Sequence, residues 1–249
     1  CSDKQVAKKL AEEIIFGGLP IDVGIPKNGV RQVLKMKEEP VQGAKLHLDH
    51  KDVIVVSGGA RGVTARCVIN LARQSQAKFV LLGRTILEDD PCPLLNEERE
   101  IIPVLIKKVK ADGKIMPPKA LKRWAQRILA IREIRANLKE MRSYGATVTY
   151  FPVDVTDGAI VEEKLQHIQK KWGAITGLIH GAGVLADKLI AEKSIDDFNW
   201  VFDVKIRGMG ALLSCIDLKK LKLLCFFSSV AARTGNRGQS DYAAANEVL

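Results

Sequence analysis

An α/β fold built on a doubly wound parallel sheet is predicted by three observations. From Asp52 onward, short apolar runs alternate with stretches of helical periodicity. The first run, Asp52-Val53-Ile54-Val55-Val56-Ser57, is continuously apolar between its ends, as a strand buried on both faces requires. A glycine-rich turn, Gly58-Gly59-Ala60-Arg61-Gly62-Val63-Thr64, follows it directly and opens a helical pattern.

Each element has its own justification. Strands are expected at 52–57, 78–83, 146–153, 175–180 and 221–227, where β-branched and other apolar residues cluster between turn signals. Helices are expected at 62–73, 118–143, 159–171 and 195–216. The helix over 118–143 is the clearest, because Leu121, Trp124, Ile128, Ile131, Ile134, Leu138 and Met141 recur at spacings of three and four. Pro117-Pro118 suits its start and Gly145 its end. About sixty residues separate the second strand from the third, whereas an ordinary crossover needs far fewer. The end of the long helix therefore serves as the crossover. The preceding stretch, about 87–130, reads as an insertion between strands two and three, for which a packing or interdomain role is expected. The whole is a Rossmann-like sheet carrying a long helical insertion.

Residues 1–51 differ in character. An amphipathic helix is expected at 6–16, a break at Gly17-Gly18-Leu19-Pro20 and a strand at 30–36. His47 and His50 have a loose metal-like spacing but no third ligand in view, so no metal site is expected.

Composition narrows the class. The chain has 249 residues, 47% of them hydrophobic, enough for a sizeable core. Mean hydropathy is +0.00. No apolar stretch reaches the roughly 18–20 residues that span a bilayer, and the N-terminus lacks a signal-peptide layout. Cys1, Cys67, Cys92, Cys215 and Cys225 form no Cys-x-x-Cys pair and read as reduced thiols in a cytoplasmic protein. The start at Cys1 and the stop at Leu249, soon after Tyr242, lead us to expect a piece of a longer polypeptide. The net charge is +10, and the segment from Lys107 to Arg142 carries +9 of it, with twelve Lys/Arg against Asp112, Glu133 and Glu140. Such a surface attracts polyanions, an acidic carrier protein or nucleic acid among them, or is simply a solvated face. Trp124 is the sole aromatic there, which disfavours nucleic acid.

The chemistry-bearing residues fall at strand ends. In the glycine-rich turn, Gly58 and Gly62 leave backbone N–H groups open to a pyrophosphate at the positive helix N-terminus. The second strand ends in Arg84, where a carboxylate would mark a preference for a free ribose 2′-hydroxyl. Arg84, with Arg61, instead suits a 2′-phosphate. Further on, Ser229 closes the fifth strand, Tyr242 follows thirteen residues later, and Asn246 lies four beyond, on the same helical face.

The order Lys205, Ser229, Tyr242, Asn246 behind this turn resembles the short-chain dehydrogenase/reductase superfamily. Within it the chain resembles ketoreductase domains of polyketide synthase-like multienzymes, closest to those of polyunsaturated fatty acid synthases. Most of the superfamily has lysine where Asn246 stands; the asparagine with an upstream lysine is the ketoreductase variant. The resemblance implies NADPH as cofactor, held by Gly58, Gly59, Arg61, Gly62, Val63, Arg84, Asp154, Val155, Gly181, Ala182 and Gly183. Asp154 would meet adenine, and the segment His180-Gly181-Ala182-Gly183-Val184 would lie against the nicotinamide ribose, with His180 part of that turn rather than a base. Thr64 replaces the family's third glycine, which loosens the expected approach of helix to cofactor. Tyr242 would donate the proton, Lys205 would stabilise its anion, Ser229, not Ser228, would orient the carbonyl, and Asn246 would hold the lysine or a relay water.

The substrate implied is a β-ketoacyl group on the phosphopantetheine arm of an acyl carrier protein, beside other domains of the same synthase. Leu185-Ala186-Asp187 matches the Leu-x-Asp element of the subtype that gives the 3R alcohol, and the tryptophan of the opposite subtype is Thr234 here. Residues 1–51 resemble the tail of the preceding structural subdomain, with 52–249 the catalytic domain. A catalytically inactive NADPH-binding domain is the alternative, and a nucleotide-sugar epimerase is disfavoured by Asn246.

Overall fold

In the computed structural model, which describes residues 3–19, 23–26, 30–33, 35, 37, 38, 40 and 46–249, the chain divides into units 1–45 and 46–249. The first unit holds helix α1 (Asp3–Phe16) and a short antiparallel pair, β1 (Val23–Gly24) and β2 (Gln32–Val33). Arg31 forks onto the Glu13 carboxylate at 2.6 and 2.7 Å and also donates to the Gly17 carbonyl, tying the hairpin to the helix. The helix begins three residues earlier than its apolar pattern. Of the strand expected at 30–36, Gln32 and Val33 form β2, while Leu34 and Met36 lie outside the described residues.

The second unit runs β3 (Val53–Ser57), α2 (Gly62–Ser75), β4 (Lys78–Gly83), α3 (Glu98–Ala111), α4 (Pro118–Ser143), β5 (Thr147–Pro152), α5 (Gly158–Trp172), β6 (Gly177–His180), α6 (Ile195–Ser214), β7 (Leu223–Phe226), α7 (Ala231–Thr234) and α8 (Ser240–Val248). The five strands are all parallel, in the order β5-β4-β3-β6-β7. β3 is central and fully buried, as its unbroken apolar run demands.

Alternate residues sort the helices onto the two faces. Ile54 and Val56 point to the side covered by Val68, Ile69 and Ala72 of α2 and by Ile134, Leu138 and Met141 of α4. Val53 and Val55 point to the side covered by Val161, Leu165 and Ile168 of α5 and by Val204 and Leu212 of α6. Each such Val, Leu, Ile or Met side chain contributes roughly 1.5–3 kcal/mol by leaving water. Because order reverses on either side of β3, the strand ends diverge between β3 and β6 and leave a crevice at their carboxyl ends.

The insertion is a helical hairpin. Its apolar run around Pro103 forms α3, opened by a capping box between Glu97 and Glu100 and tolerant of Pro103 on an exposed face. The long helix α4 serves two cores. Leu121, Ala125 and Ile128 pack with Ile101, Leu105 and Val109 of α3, while Ile134, Leu138 and Met141 join the sheet. Arg132 fastens the entering loop, pairing with Asp90 at 2.6 Å and donating to the carbonyls of Cys92 and Leu95.

Candidate active site

A cleft of about 760 Å³ opens over the carboxyl ends of β3, β4, β5 and β6. Its floor is the glycine-rich turn. Gly58 has φ +68, and a Cβ there would come within 2.7 Å of the Ala182 nitrogen, so the turns after β3 and β6 can touch only because Gly58 lacks a side chain. Gly62 has φ +64 with nothing within 4 Å of a Cβ position, but its N–H, expected to be open to a pyrophosphate, donates to Glu133 at 2.9 Å. Thr64 stands where a third glycine was expected. It is buried, and the space it takes is given up by Gly181, whose Cβ would lie 2.5 Å from Thr64 Oγ1. The bulk added at Thr64 is matched by the missing side chain at Gly181, so the start of α2 and the turn after β6 pack closely.

A buried hydrogen-bond chain locks these turns. His180 Nε2 donates to the Lys205 carbonyl at 2.9 Å, so Nδ1 accepts from Ser57 Oγ at 2.6 Å, and Ser57 Oγ accepts from the Ala182 N–H at 3.3 Å. Burial pushes the His180 pKa down to about 4, which keeps the ring neutral and this polarity fixed.

Of the residues expected to hold the cofactor, Gly58, Arg61, Gly62, Arg84, Asp154, Val155, Gly181, Ala182 and Gly183 line the cleft. Gly59 and Val63 do not. Gly59 is buried against Val56, whose side chain occupies the place a Cβ would take, and the Val63 side chain is 74% exposed. Asp154 Oδ1 accepts from the backbone and hydroxyl of Thr156 at 3.0 and 2.8 Å, fixing the turn after β5. Arg84 lies over the Trp200 ring, 5.9 Å from its centroid.

The long helix also reaches the cleft: Arg127, near the end of the insertion, and Glu133 and Ile134, in its crossover part, form part of the wall. Glu133 accepts from the Gly62 N–H at 2.9 Å and Asn137 donates to the Ala60 carbonyl at 3.0 Å, so one helical face grips both ends of the turn. Tyr150 of β5 shares its one hydroxyl proton between the carbonyls of Thr85 at 2.7 Å and Gly83 at 3.0 Å and holds the β4 exit. Sequence reasoning missed these residues; the i, i+4 spacing of Glu133 and Asn137 on an otherwise basic helix was the available signal.

The four residues expected to be catalytic sit on α6, at the exit of β7 and on α8. Lys205 is 3% exposed, its pKa pushed down to about 8 by burial. Its Nζ donates to the Phe227 carbonyl at 2.7 Å and lies 5.8 Å from the centroid of the Tyr242 ring. Asn246 Nδ2 donates to the Tyr242 carbonyl at 2.7 Å. Asn246 Oδ1 is, among the described residues, the buried side-chain atom with no partner in the chain. Ser229 Oγ accepts from the Ala231 N–H at 3.2 Å, whereas Ser228 donates to the Asn246 carbonyl at 2.8 Å and so braces α8. Lys205, Tyr242 and Asn246 are thus gathered at one corner, and the carbonyl that Lys205 holds, that of Phe227, lies two residues before Ser229.

Known proteins resemble this chain along most of its length. The KR domain family model matches residues 53–249. Over 238 residues, 92% of the chain, it is 32% identical to a polyunsaturated fatty acid synthase polypeptide of Thraustochytrium sp., of which it spans 8%. It is 28% identical over its whole length to the polyketide synthase PksL of Bacillus subtilis, spanning 5% of that protein. Among solved structures, a ketoreductase domain from the bacillaene assembly line superposes with a TM-score of 0.62 at 27% identity, covering 88% of this chain and 42% of that one. A-type ketoreductases from a modular polyketide synthase share the fold at a TM-score of 0.68 and 22% identity, over 99% of this chain and 44% of theirs. The match of the KR domain model over residues 53–249, with 32% identity to a relative over 92% of the chain, shows that the chain belongs to the KR (ketoreductase) domain family.

Proposed function

We propose that this chain carries out the NADPH-dependent reduction of a carrier-protein-bound β-ketoacyl thioester to the (3R)-β-hydroxyacyl thioester, within a cytoplasmic polyketide or polyunsaturated fatty acid synthase. Residues 52–249 form the catalytic domain in this reading, and 1–51 the tail of a structural subdomain. The observation that carries it is the buried Lys205 ammonium, 5.8 Å from the Tyr242 ring centroid, with Asn246 bonded to the Tyr242 backbone.

The cleft fits the cofactor. Its volume suits a dinucleotide, there is open space beside Gly62 at the start of α2, where Glu133 accepts from the Gly62 N–H, and the small residues Gly181, Ala182 and Gly183 line it. Arg61, Arg84 and Arg127 line the cleft, Arg127 paired with Glu88 at 2.7 Å, and their guanidinium groups favour a 2′-phosphate over a free ribose hydroxyl. When bound, NADPH supplies the hydride for the carbonyl carbon.

The chain's own residues manage the oxygen. A tyrosine hydroxyl titrates near 10 in water and gives up its proton at neutral pH only if a cation stabilises the anion left behind. Lys205 is that cation, still mostly protonated at pH 7 because its pKa is pushed down only to about 8. Tyr242 donates to the developing alkoxide, and the Ser229 hydroxyl orients the carbonyl. The unpartnered Asn246 Oδ1 is an acceptor for a relay water or for the lysine.

The Leu185-Ala186-Asp187 element and Thr234 support the 3R product. An acyl carrier protein would deliver the substrate, and other domains of the synthase would be its neighbours. No helix among the described residues is long and apolar enough to cross a membrane. The test is NADPH oxidation by the full-length protein with a short β-ketoacyl thioester. The wild type turns over, and Tyr242→Phe loses about 100-fold or more in kcat with its NADPH affinity intact. Equal rates overturn the mechanism. A wild type that binds NADPH without turnover supports the inactive-domain alternative.

A further inference from the structure

Loop 185–193, which follows the nicotinamide-side turn, is joined to the segment before Tyr242 by a buried ion pair. Lys193 Nζ lies 2.6 Å from Asp241 Oδ2, and the two side chains are 4% and 1% exposed. Each partner makes a second, directional bond. Lys193 Nζ donates to the Ala186 carbonyl at 2.7 Å, and Asp241 Oδ1 accepts from the Tyr242 N–H at 2.8 Å. A single salt bridge therefore links the backbone of the Leu-Ala-Asp element to the backbone of the tyrosine.

Its position in the chain extends that link to a third element. Lys193 immediately precedes Ser194, whose hydroxyl accepts from the Asp197 N–H and caps α6, the helix that carries Lys205. More exposed bonds follow the same seam: Lys188 N–H to the Gly238 carbonyl at 3.0 Å, and Gln239 Nε2 to Asp187 Oδ2 at 3.0 Å. The start of α6, the loop and the start of α8 thus meet at Lys193–Asp241.

Stability alone does not account for charges there. A buried ion pair is commonly no more stabilising than apolar side chains of the same size, because both ions give up hydration. What a pair with fixed partners adds is a single permitted geometry, since its donors and acceptors point in defined directions whereas apolar groups slide.

Resting on the functional reading above, we infer that Lys193 and Asp241 are positioning residues that set the Leu185-Ala186-Asp187 element and the Tyr242 hydroxyl in register with Lys205. They touch neither substrate nor cofactor. They act by fixing the first turn of α8 against loop 185–193, and so govern both the rate of proton delivery and the face of the ketone presented.

Removing one partner would strand a buried charge and endanger the fold. The informative variant of the full-length protein is therefore Lys193→Met/Asp241→Asn, which nearly keeps the size of both side chains and removes both charges. The inference expects a thermal midpoint within a few degrees of wild type and an unchanged Kd for NADPH. It also expects a kcat lower by roughly 10- to 100-fold and a product enantiomer ratio shifted toward the mixture, the scale expected of a misplacement near 1 Å. Amide exchange at Tyr242 and Lys188 should accelerate together. Wild-type kcat and enantiomer ratio in this variant overturn the inference and leave the pair purely structural. If the wild type itself reduces nothing, the functional reading fails, and exchange still decides the clamp: unchanged protection at both amides overturns it.

Discussion

Lys205→Met is the substitution for which structure dictates opposite effects on stability and activity. The ammonium is 3% exposed and its pKa falls from 10.5 to about 8 because burial penalises the charge. At pH 7 the folded chain therefore bears a cost of about 3 kcal/mol that a neutral side chain avoids. Against this, methionine forfeits the 2.7 Å bond to the Phe227 carbonyl, a charge-assisted contact worth about 1.5–3 kcal/mol. The net expectation is a variant as stable as wild type or up to about 1.5 kcal/mol more stable, with reduction abolished.

The pH dependence isolates the electrostatic part. Between about pH 8 and 10.5 the unfolded chain keeps the Lys205 proton and the folded chain has shed it, so wild-type stability rises with pH across that window. The variant lacks this rise. Its stability relative to wild type should fall by about 2 kcal/mol from pH 7 to pH 9.5, or about 4–8 °C in the difference of thermal midpoints. Paired thermal melts at the two pH values measure it. A pH-independent difference would mean that the lysine is not held charged in a desolvated site, and the argument for its role beside Tyr242 would go with it.

Three further outcomes follow from the same geometry. Gly181→Ala drives a methyl to 2.5 Å from Thr64 Oγ1 and should cost about 1–3 kcal/mol, read by denaturant unfolding; in a Thr64→Ala background less than half of that cost should remain, and additivity would refute the match of bulk. His180, neutral in the fold with its pKa pushed down to about 4, takes up its proton in the unfolded chain first, so stability should fall by about 3 kcal/mol as pH drops from 6.5 to 4. His180→Asn should flatten that acid limb, and an unchanged limb places the titration elsewhere. Arg84→Ala should erode the NADPH-over-NADH preference by roughly 10- to 100-fold in Kd, measured by titration calorimetry; an unchanged ratio assigns the 2′-phosphate to Arg61 and Arg127 instead.

Local pattern was enough to read the five strands of the parallel sheet, the buried one among them, and the limits of α4, because a 3.6-residue repeat, an unbroken apolar run, and a proline and a glycine at helix ends need no distant partner. It also placed Lys205, Ser229, Tyr242 and Asn246 in order, since an i, i+4 spacing and a strand end need no partner to be read. What it could not carry were pairings between residues far apart. The Thr64–Gly181 match, the bonds of Ser57 to His180 and Ala182, the Glu133 and Asn137 grip on the glycine-rich turn, and the Lys193–Asp241 pair each join segments 48 to 125 residues apart. Only tertiary structure decided those, because the energy of a buried hydrogen bond or ion pair depends on who is opposite and on how little water remains, and neither is written in the local pattern.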